Sequence, residues 1–324
     1  VSFIVPGDPV VEDPPAGVEP GINYINDSSV ILALTAPDKS VIFVEGDFNE
    51  FQTQDEYSMK LATNDTLWWL EVTGLTPGEQ YAYQYYIDGT VRVGDPYAEL
   101  VLDRNNDQFL SSTLYPDLKA HPTGAIDRVS VLQTAQQPYQ WQNNNFVRPD
   151  KDDLIIYELL VRDFIADHDY KTLIDTLDYL ENLGVTAIEL MPIMEFENNI
   201  SWGYNPSFFF APDKYYGRAQ DLKAFIDECH GRGIAVILDM VLNHAFGQCP
   251  LVEMYPANAN PFFNEAPTHP FNVGTDFNHE SPLTRYFTKR VLEYWVEEFR
   301  FDGYRMDLSK GFTQTNNPND VGAW

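Results

Sequence analysis

The chain has 324 residues, and 49 acidic against 20 basic side chains give a formal net charge of −29. Such a balance repels phosphate backbones and anionic lipid, so nucleic acid and membrane surfaces are poor partners while neutral ligands stay open. Hydrophobic residues at 44% allow a packed core, aromatics at 14% supply flat apolar faces of the kind sugar rings pack against, and no apolar run is long enough to span a membrane. Two cysteines, Cys229 and Cys249, do not make a disulfide framework; one bridge and two free thiols both fit the sequence. The chain begins at Val1, without an initiator methionine or signal peptide, as a processed chain or a fragment would.

Residues 1–25 are rich in proline and acid and read as a leader or linker. From 26 to 115 come short runs in which β-branched and aromatic residues alternate with polar ones. SVILALTA, SVIFVEG, LWWLEV, YAYQYYI and TVRVG are separated by turn signals. This spacing predicts an all-β immunoglobulin-like sandwich. Residues 116–152, rich in Gln, Asn and Pro, read as an ordered connector lying over the surface.

From 153 to 324 the grammar changes. LIIYELLV, VTAIELM, IAVILDMV and FDGYRMDL are apolar runs suited to buried parallel strands. Between them, Leu173, Ile174, Leu177, Leu180 and Leu183 stripe one helix. Leu222, Phe225, Ile226 and Cys229 stripe a second, and Phe287, Val291, Trp295 and Phe299 a third. Strand–helix alternation of this kind predicts a parallel sheet. Long loops leave the C-terminal ends of the second and third strands, and no glycine-rich phosphate loop follows the first. Both points favour the first four βα units of a (β/α)8 TIM barrel, an incomplete barrel, over a doubly wound sheet.

Polar side chains gather at the strand ends. Asp239, Asn243 and His244 lie in DMVLNH; Arg305, Asp307 and Lys310 lie in GYRMDLSKGF; Trp202 and Tyr204 lie in WGYNP. Adjacent parallel strands end side by side, so Asp239 and Asp307 are expected at one mouth. Arg305 and Asp307 are two apart on a strand and face the same way. A guanidinium beside a carboxylate keeps it ionised, which suits a nucleophile or an electrostatic stabiliser. A purely structural ion pair would use the same two residues.

IIYELLVRDF, ELMPI with WGYNP, DMVLNH and GYRMD, in that order, resemble the first four barrel strands of glycoside hydrolase family 13, the α-amylase superfamily. Upstream, GDFNEF, LWWLEV, GLTPGEQYAYQYYIDG and DPYAEL resemble the β-sandwich, carbohydrate-binding module family 48 or a related early-set domain, that precedes the barrel in isoamylases and glycogen branching enzymes. The resemblance implies a retaining glycoside hydrolase of α-amylase type that cleaves α-1,4 bonds of starch or glycogen through a glycosyl-enzyme intermediate. Branching and debranching enzymes are its alternatives. It implies that Asp307 is the nucleophile, that Arg305 orients it, and that Asp239 ties Arg305 into the strand-end network. His244 then contacts the glucose 6-hydroxyl and Tyr204 stacks on the same ring. Trp202 belongs to the substrate-binding loop, and Lys310 makes a product-side sugar contact. Asn243 falls at a calcium-ligand position. No cofactor is required, and calcium is a candidate structural ion, although Gly311 stands where many members carry a histidine whose carbonyl helps bind it. The implied partners are α-glucan polysaccharides or maltooligosaccharides. The acidic balance and proline-rich start favour export, to periplasm or medium, over the cytoplasm.

A retaining glycosidase needs two carboxyls roughly 5–5.5 Å apart, a nucleophile and a proton donor. The family's donor follows a fifth strand, whereas this sequence stops shortly after a fourth. Glu158, Glu189 and Glu195 belong to the first two strands or their loop and read as structural. The 324 residues are therefore expected to be an N-terminal portion that does not turn over alone. The rival from another class is a non-catalytic α-glucan-binding protein. Trp68, Trp69 or Tyr85 would be its binding rings, unless they pack the β region's own core.

Overall fold

The computed structural model describes residues 9–270 and 273–312, which fall into two compact units. Of the described residues, the first comprises those within 9–108, 119–137 and 253–255, and the second those within 109–118, 138–252, 256–270 and 273–312. Among the described residues, no helix is long and apolar enough to cross a membrane.

The first unit holds β1 (Gly21–Asn26), β2 (Ser29–Thr35), β3 (Ile42–Gly46), β4 (Lys60–Leu61), β5 (Leu67–Thr73), β6 (Gln80–Ile87), β7 (Val91–Val93), β8 (Val101–Asp103) and β9 (Arg128–Gln133). One antiparallel sheet has the order β1-β2-β5-β4; the other runs β3-β6-β9-β8, with β7 also paired to β6. Trp68 and Trp69, neighbours on β5, point to opposite faces, and both are buried. Trp68 Nε1 donates to the Ala36 carbonyl at 2.9 Å. Trp69 packs with Ile31, Ala33, Val18 and Leu67, and its Nε1 donates to the Glu12 carbonyl at 2.7 Å. Tyr85 is fully buried with its hydroxyl bonded to Asp95. All three rings named as glycan binders are thus core side chains with their polar atoms already satisfied.

Two stretches differ from expectation. Part of the supposed leader is built into the first unit: Glu12 N donates to the Leu61 carbonyl at 2.9 Å, and Asp13 Oδ1 accepts from Thr63 N at 2.8 Å. The supposed connector contains β9, whose Val129, Val131 and Leu132 are buried where it pairs with β6 and β8. Its alternating RVSVLQ is a strand pattern that the surrounding Gln, Asn and Pro obscure.

The second unit carries β10 (Ile156–Leu159), α1 (Val161–Phe164), α2 (Tyr170–Ile174), α3 (Leu177–Asn182), β11 (Ala187–Leu190), β12 (Met194–Phe196) and β13 (Pro206–Pro212). It continues with α4 (Ala219–Gly231), β14 (Ala235–Met240), β15 (His244–Ala245), α5 (Pro250–Glu253), β16 (Thr275–Asp276), α6 (Pro282–Phe299) and β17 (Gly303–Met306). Strands β10, β11, β14 and β17 form one parallel sheet in that order. The long loops carry small antiparallel pairs, β12 with β13 and β15 with β16.

The helix expected over the leucine stripe is two helices. Thr176 Oγ1 bonds back to the Leu173 carbonyl at 2.7 Å, a local contact that competes with the helical ladder. Leu173, Leu177 and Leu180 are buried as expected, but Leu183, at the end of α3, is exposed. Helices α4 and α6 bury the stripes read from sequence, and Trp295 Nε1 donates to the Phe209 carbonyl at 2.9 Å. Cys229 and Cys249 are both buried, and no disulfide joins them.

Asp95 pins the first unit's five-stranded sheet from inside. Its Oδ2 accepts from the hydroxyls of Tyr83 at 2.8 Å and Tyr85 at 2.9 Å, and its Oδ1 accepts from Tyr97 N at 2.8 Å. Burial lifts its carboxyl to about 6, against the downward pull of those three hydrogen bonds. A folded-state value above the unfolded one means that Asp95 favours folding at acid pH and loses that contribution as pH rises through about 6. Asp95→Asn cannot ionise. In urea denaturation followed by tryptophan fluorescence, to which Trp68 and Trp69 of the first unit contribute, the variant should gain on the wild type between pH 4 and pH 8, by about 2 kcal/mol. A difference that stays flat over that range contradicts the buried-carboxyl account.

Candidate active site

The parallel sheet brings its polar residues together through register. Glu158 of β10 lies level with Glu189 of β11, and Asp239 of β14 lies level with Arg305 of β17. All four sit at or near the C-terminal ends of their strands. Asp307 follows β17, and its backbone N donates to the Met240 carbonyl at 3.0 Å, which continues the pairing by one step.

Arg305 is the hub. Its Nη1 donates to Asp239 Oδ1 at 3.0 Å and Oδ2 at 3.1 Å, and to Asp307 Oδ1 at 2.7 Å. Asp239 is fully buried and also accepts from the Tyr204 hydroxyl at 2.7 Å. Burial pushes the Asp239 carboxyl above its ordinary value, while Tyr204 and Arg305 pull it back. Burial works against the Arg305 charge, but the bonds to Asp307 and Asp239 more than compensate and hold its guanidinium protonated. Burial and the bond to Asp239 raise the Tyr204 phenol and keep it a donor.

Tyr204 is delivered by its neighbour. Gly203 has φ +89°, and a Cβ there would stand 2.2 Å from the Pro192 carbonyl oxygen, so only glycine fits. The Tyr204 carbonyl meets His244 Nε2 at 2.9 Å. A carbonyl can only accept, so this nitrogen carries a proton, and His244 Nδ1 faces a second acceptor, Asn243 Oδ1. Burial lowers the His244 imidazole, while the bond to Tyr204 and the nearby Asp307 carboxylate pull it the other way. Asn243 Nδ2 donates to the Asp307 carbonyl at 3.0 Å.

Asp239, Arg305, Asp307, Tyr204, His244 and Asn243 thus form one hydrogen-bonded network. Trp202 is 59% exposed on the loop before Tyr204, outside that network. Lys310 lies half-buried in the short turn Ser309–Phe312.

At Asn243, the expected calcium-ligand position, the amide oxygen lies against His244 Nδ1. Calcium takes six to eight oxygen ligands, of which Asn243 could supply one.

Glu158 and Glu189 were read as structural carboxylates of the first two strands. Their oxygens and one of Asp239 lie within 4.8 Å of one another. Only the inter-strand register, which a single strand does not encode, brings them together. Asp239 is already bonded to Arg305 and Tyr204, so the trio is an electrostatic cluster. Glu195, by contrast, is buried in an ion pair with Lys214.

Comparison with known proteins decides the family. The α-amylase catalytic-domain family matches residues 136–259. The chain belongs to the α-amylase superfamily. The malto-oligosyltrehalose trehalohydrolase of Saccharolobus solfataricus is 34% identical over 67% of this chain and 36% of its own length. Chloroplastic isoamylase 1 of Arabidopsis thaliana is 32% identical over 69% of this chain and 33% of its own. A solved structure described as an α-amylase from Salmonella typhimurium superposes with a TM-score of 0.73 at 26% identity, covering 92% of this chain and 45% of that one. The chain therefore spans about a third of the length of these curated relatives.

One measurement tests the electrostatics of this superfamily member's strand ends. Burial, aided by the Asp239 and Glu158 carboxylates, holds the Glu189 carboxyl above its ordinary value. Asp239→Asn removes one negative neighbour and should move the Glu189 titration to lower pH in a carboxyl 13C NMR experiment. An unchanged midpoint would show that the two groups do not interact.

Proposed function

We propose that the protein is a retaining glycoside hydrolase of α-amylase type, acting on α-1,4 bonds of starch, glycogen or maltooligosaccharides. In this reading the parallel sheet is the first half of a (β/α)8 barrel and the first unit is an early-set sandwich. The observation that carries it is the Arg305 guanidinium, bonded at once to buried Asp239 and to Asp307 at adjacent strand ends.

The chemistry follows from that geometry. Arg305 donates to Asp307 Oδ1 and fixes the direction of its carboxylate. Asp307 attacks the anomeric carbon while the glycosidic bond breaks, and the glycosyl ester forms. His244, anchored on the Tyr204 carbonyl, is a candidate hydrogen-bond partner for a sugar hydroxyl. The Tyr204 ring is the candidate platform for the same residue, and exposed Trp202 and Lys310 are candidate outer contacts. The proton donor must approach from the far side of the bond, at roughly 5–5.5 Å from the nucleophile. Glu195 is committed to Lys214, and Glu158 and Glu189 crowd Asp239, so none of the three is proposed for that role. We expect these 324 residues alone not to turn substrate over.

Debranching of α-1,6 bonds is the second reading, favoured by the likeness to isoamylase 1. Products formed by the complete enzyme separate the two: new reducing ends from linear amylose indicate α-1,4 hydrolysis, and linear chains released from amylopectin alone indicate debranching. In that enzyme Asp307→Asn should cut turnover by about 10⁴-fold or more with the melting temperature retained. Near wild-type turnover would refute the nucleophile assignment.

A further inference from the structure

We propose that Arg162, on the short helix after β10, is a positioning residue for Tyr204: it holds the loop that carries Tyr204 against the strand ends, and so sets how well the Arg305 network engages a substrate. The substrate, an α-glucan, rests on the function proposed above; the restraint itself rests on the following geometry.

Arg162 lies on α1, directly after the first strand of the parallel sheet. Its Nε donates to Asp163 Oδ1 at 2.7 Å and its Nη2 to Asp163 Oδ2 at 3.1 Å. This two-pronged pair fixes the plane of the guanidinium. The remaining nitrogen, Nη1, donates to the Ser201 carbonyl at 3.1 Å, in the loop after the second strand. His168 Nδ1 meets the Arg162 carbonyl at 2.5 Å, so the backbone from which the side chain springs is held as well.

Ser201 passes the restraint on. Its hydroxyl works in both directions, accepting from Gly203 N at 2.9 Å and donating to Asn205 Oδ1. Tyr204 lies between those two residues. Asn205 is stitched to the start of the loop, because its Nδ2 donates to the Glu197 carbonyl at 2.8 Å and its own carbonyl accepts from Glu197 N at 3.1 Å. The base of the loop is thereby closed, while Ile200 and Trp202 on either side of Ser201 are exposed. Arg162 reaches this exposed stretch from a different strand.

The consequence falls on the site. Asp163 is 57% exposed, and an ion pair with so open an acid stabilises a fold little, which leaves the bond to Ser201 as the main effect of the arginine. Tyr204 touches two members of the network, Asp239 through its hydroxyl and His244 through its carbonyl. A loop that drifts withdraws a donor from buried Asp239 and loosens the His244 ring together. Lysine at 162 could serve Asp163 or Ser201, but it lacks the planar fork that serves both at once.

The test uses the complete enzyme with maltoheptaose. Arg162→Ala should lower kcat/KM about tenfold, chiefly by raising KM, with little change in melting temperature. Arg162→Lys should recover part of the loss, and it keeps the comparison available if the alanine variant does not fold. In a Tyr204→Ala background the same Arg162 substitutions should change kcat/KM by less than about twofold, because the group they position is gone. Equal losses with and without Tyr204 overturn the proposal, and so does wild-type kcat/KM in Arg162→Ala. Tyr204 is also read without turnover. In protein labelled with 13C-tyrosine, the Tyr204 ring resonances, assigned by their loss in Tyr204→Phe, should move in Arg162→Ala. Hydrolysis of α-glucan with unmoved resonances rejects the role of Arg162 and leaves the proposed activity standing. Moved resonances in a complete protein that hydrolyses no α-glucan support the role and reject the activity.

Discussion

Everything at the strand ends depends on one guanidinium held between two carboxylates. Asp239 is buried without access to water, a placement tolerable only because Arg305 and Tyr204 both donate to it. Asp307 stands on the other side of the same Nη1. Take Arg305 away and two acids face each other in a site that already holds Glu158 and Glu189. The strand register, the glycine that lets Tyr204 approach and the anchoring of His244 all serve to keep that cation and its partners in one plane of the fold.

How much of this was legible depended on the distance over which each signal acts. Arg305 and Asp307 could be paired from sequence because strand side chains repeat every two residues. The three helix stripes were legible because burial follows a period near 3.6. The break at Thr176 was not, since a hydroxyl turning back on a carbonyl leaves the apolar spacing intact. Convergence of Glu158, Glu189 and Asp239 was invisible for a different reason. It needs the register of three strands that lie far apart in the chain. The family resemblance supplied the roles of His244 and Tyr204, which no local pattern would have joined through a backbone carbonyl.

The aromatic content divides in the same way. High aromaticity suggested sugar-binding faces, yet Trp68, Trp69 and Tyr85 are spent on the interior of the first unit, each with its polar atom bonded. The rings proposed for ligands, Tyr204 beside Asp239 and exposed Trp202, lie in the second unit. Acidity likewise has a local meaning as well as a global one. It disfavours anionic partners over the whole surface, and at the strand ends it sets up the carboxylate crowding that Arg305 relieves.

Cys229 and Cys249 have a practical consequence. Both thiols are sealed inside the second unit, and burial raises that of Cys229 well above its ordinary value, so it stays protonated and unreactive while the unit is closed. The tryptophans Trp68 and Trp69 belong to the first unit. Alkylation of the thiols therefore times the opening of the second unit alone without an engineered label, whereas indole emission reports both units, since Trp141, Trp202 and Trp295 lie in the second.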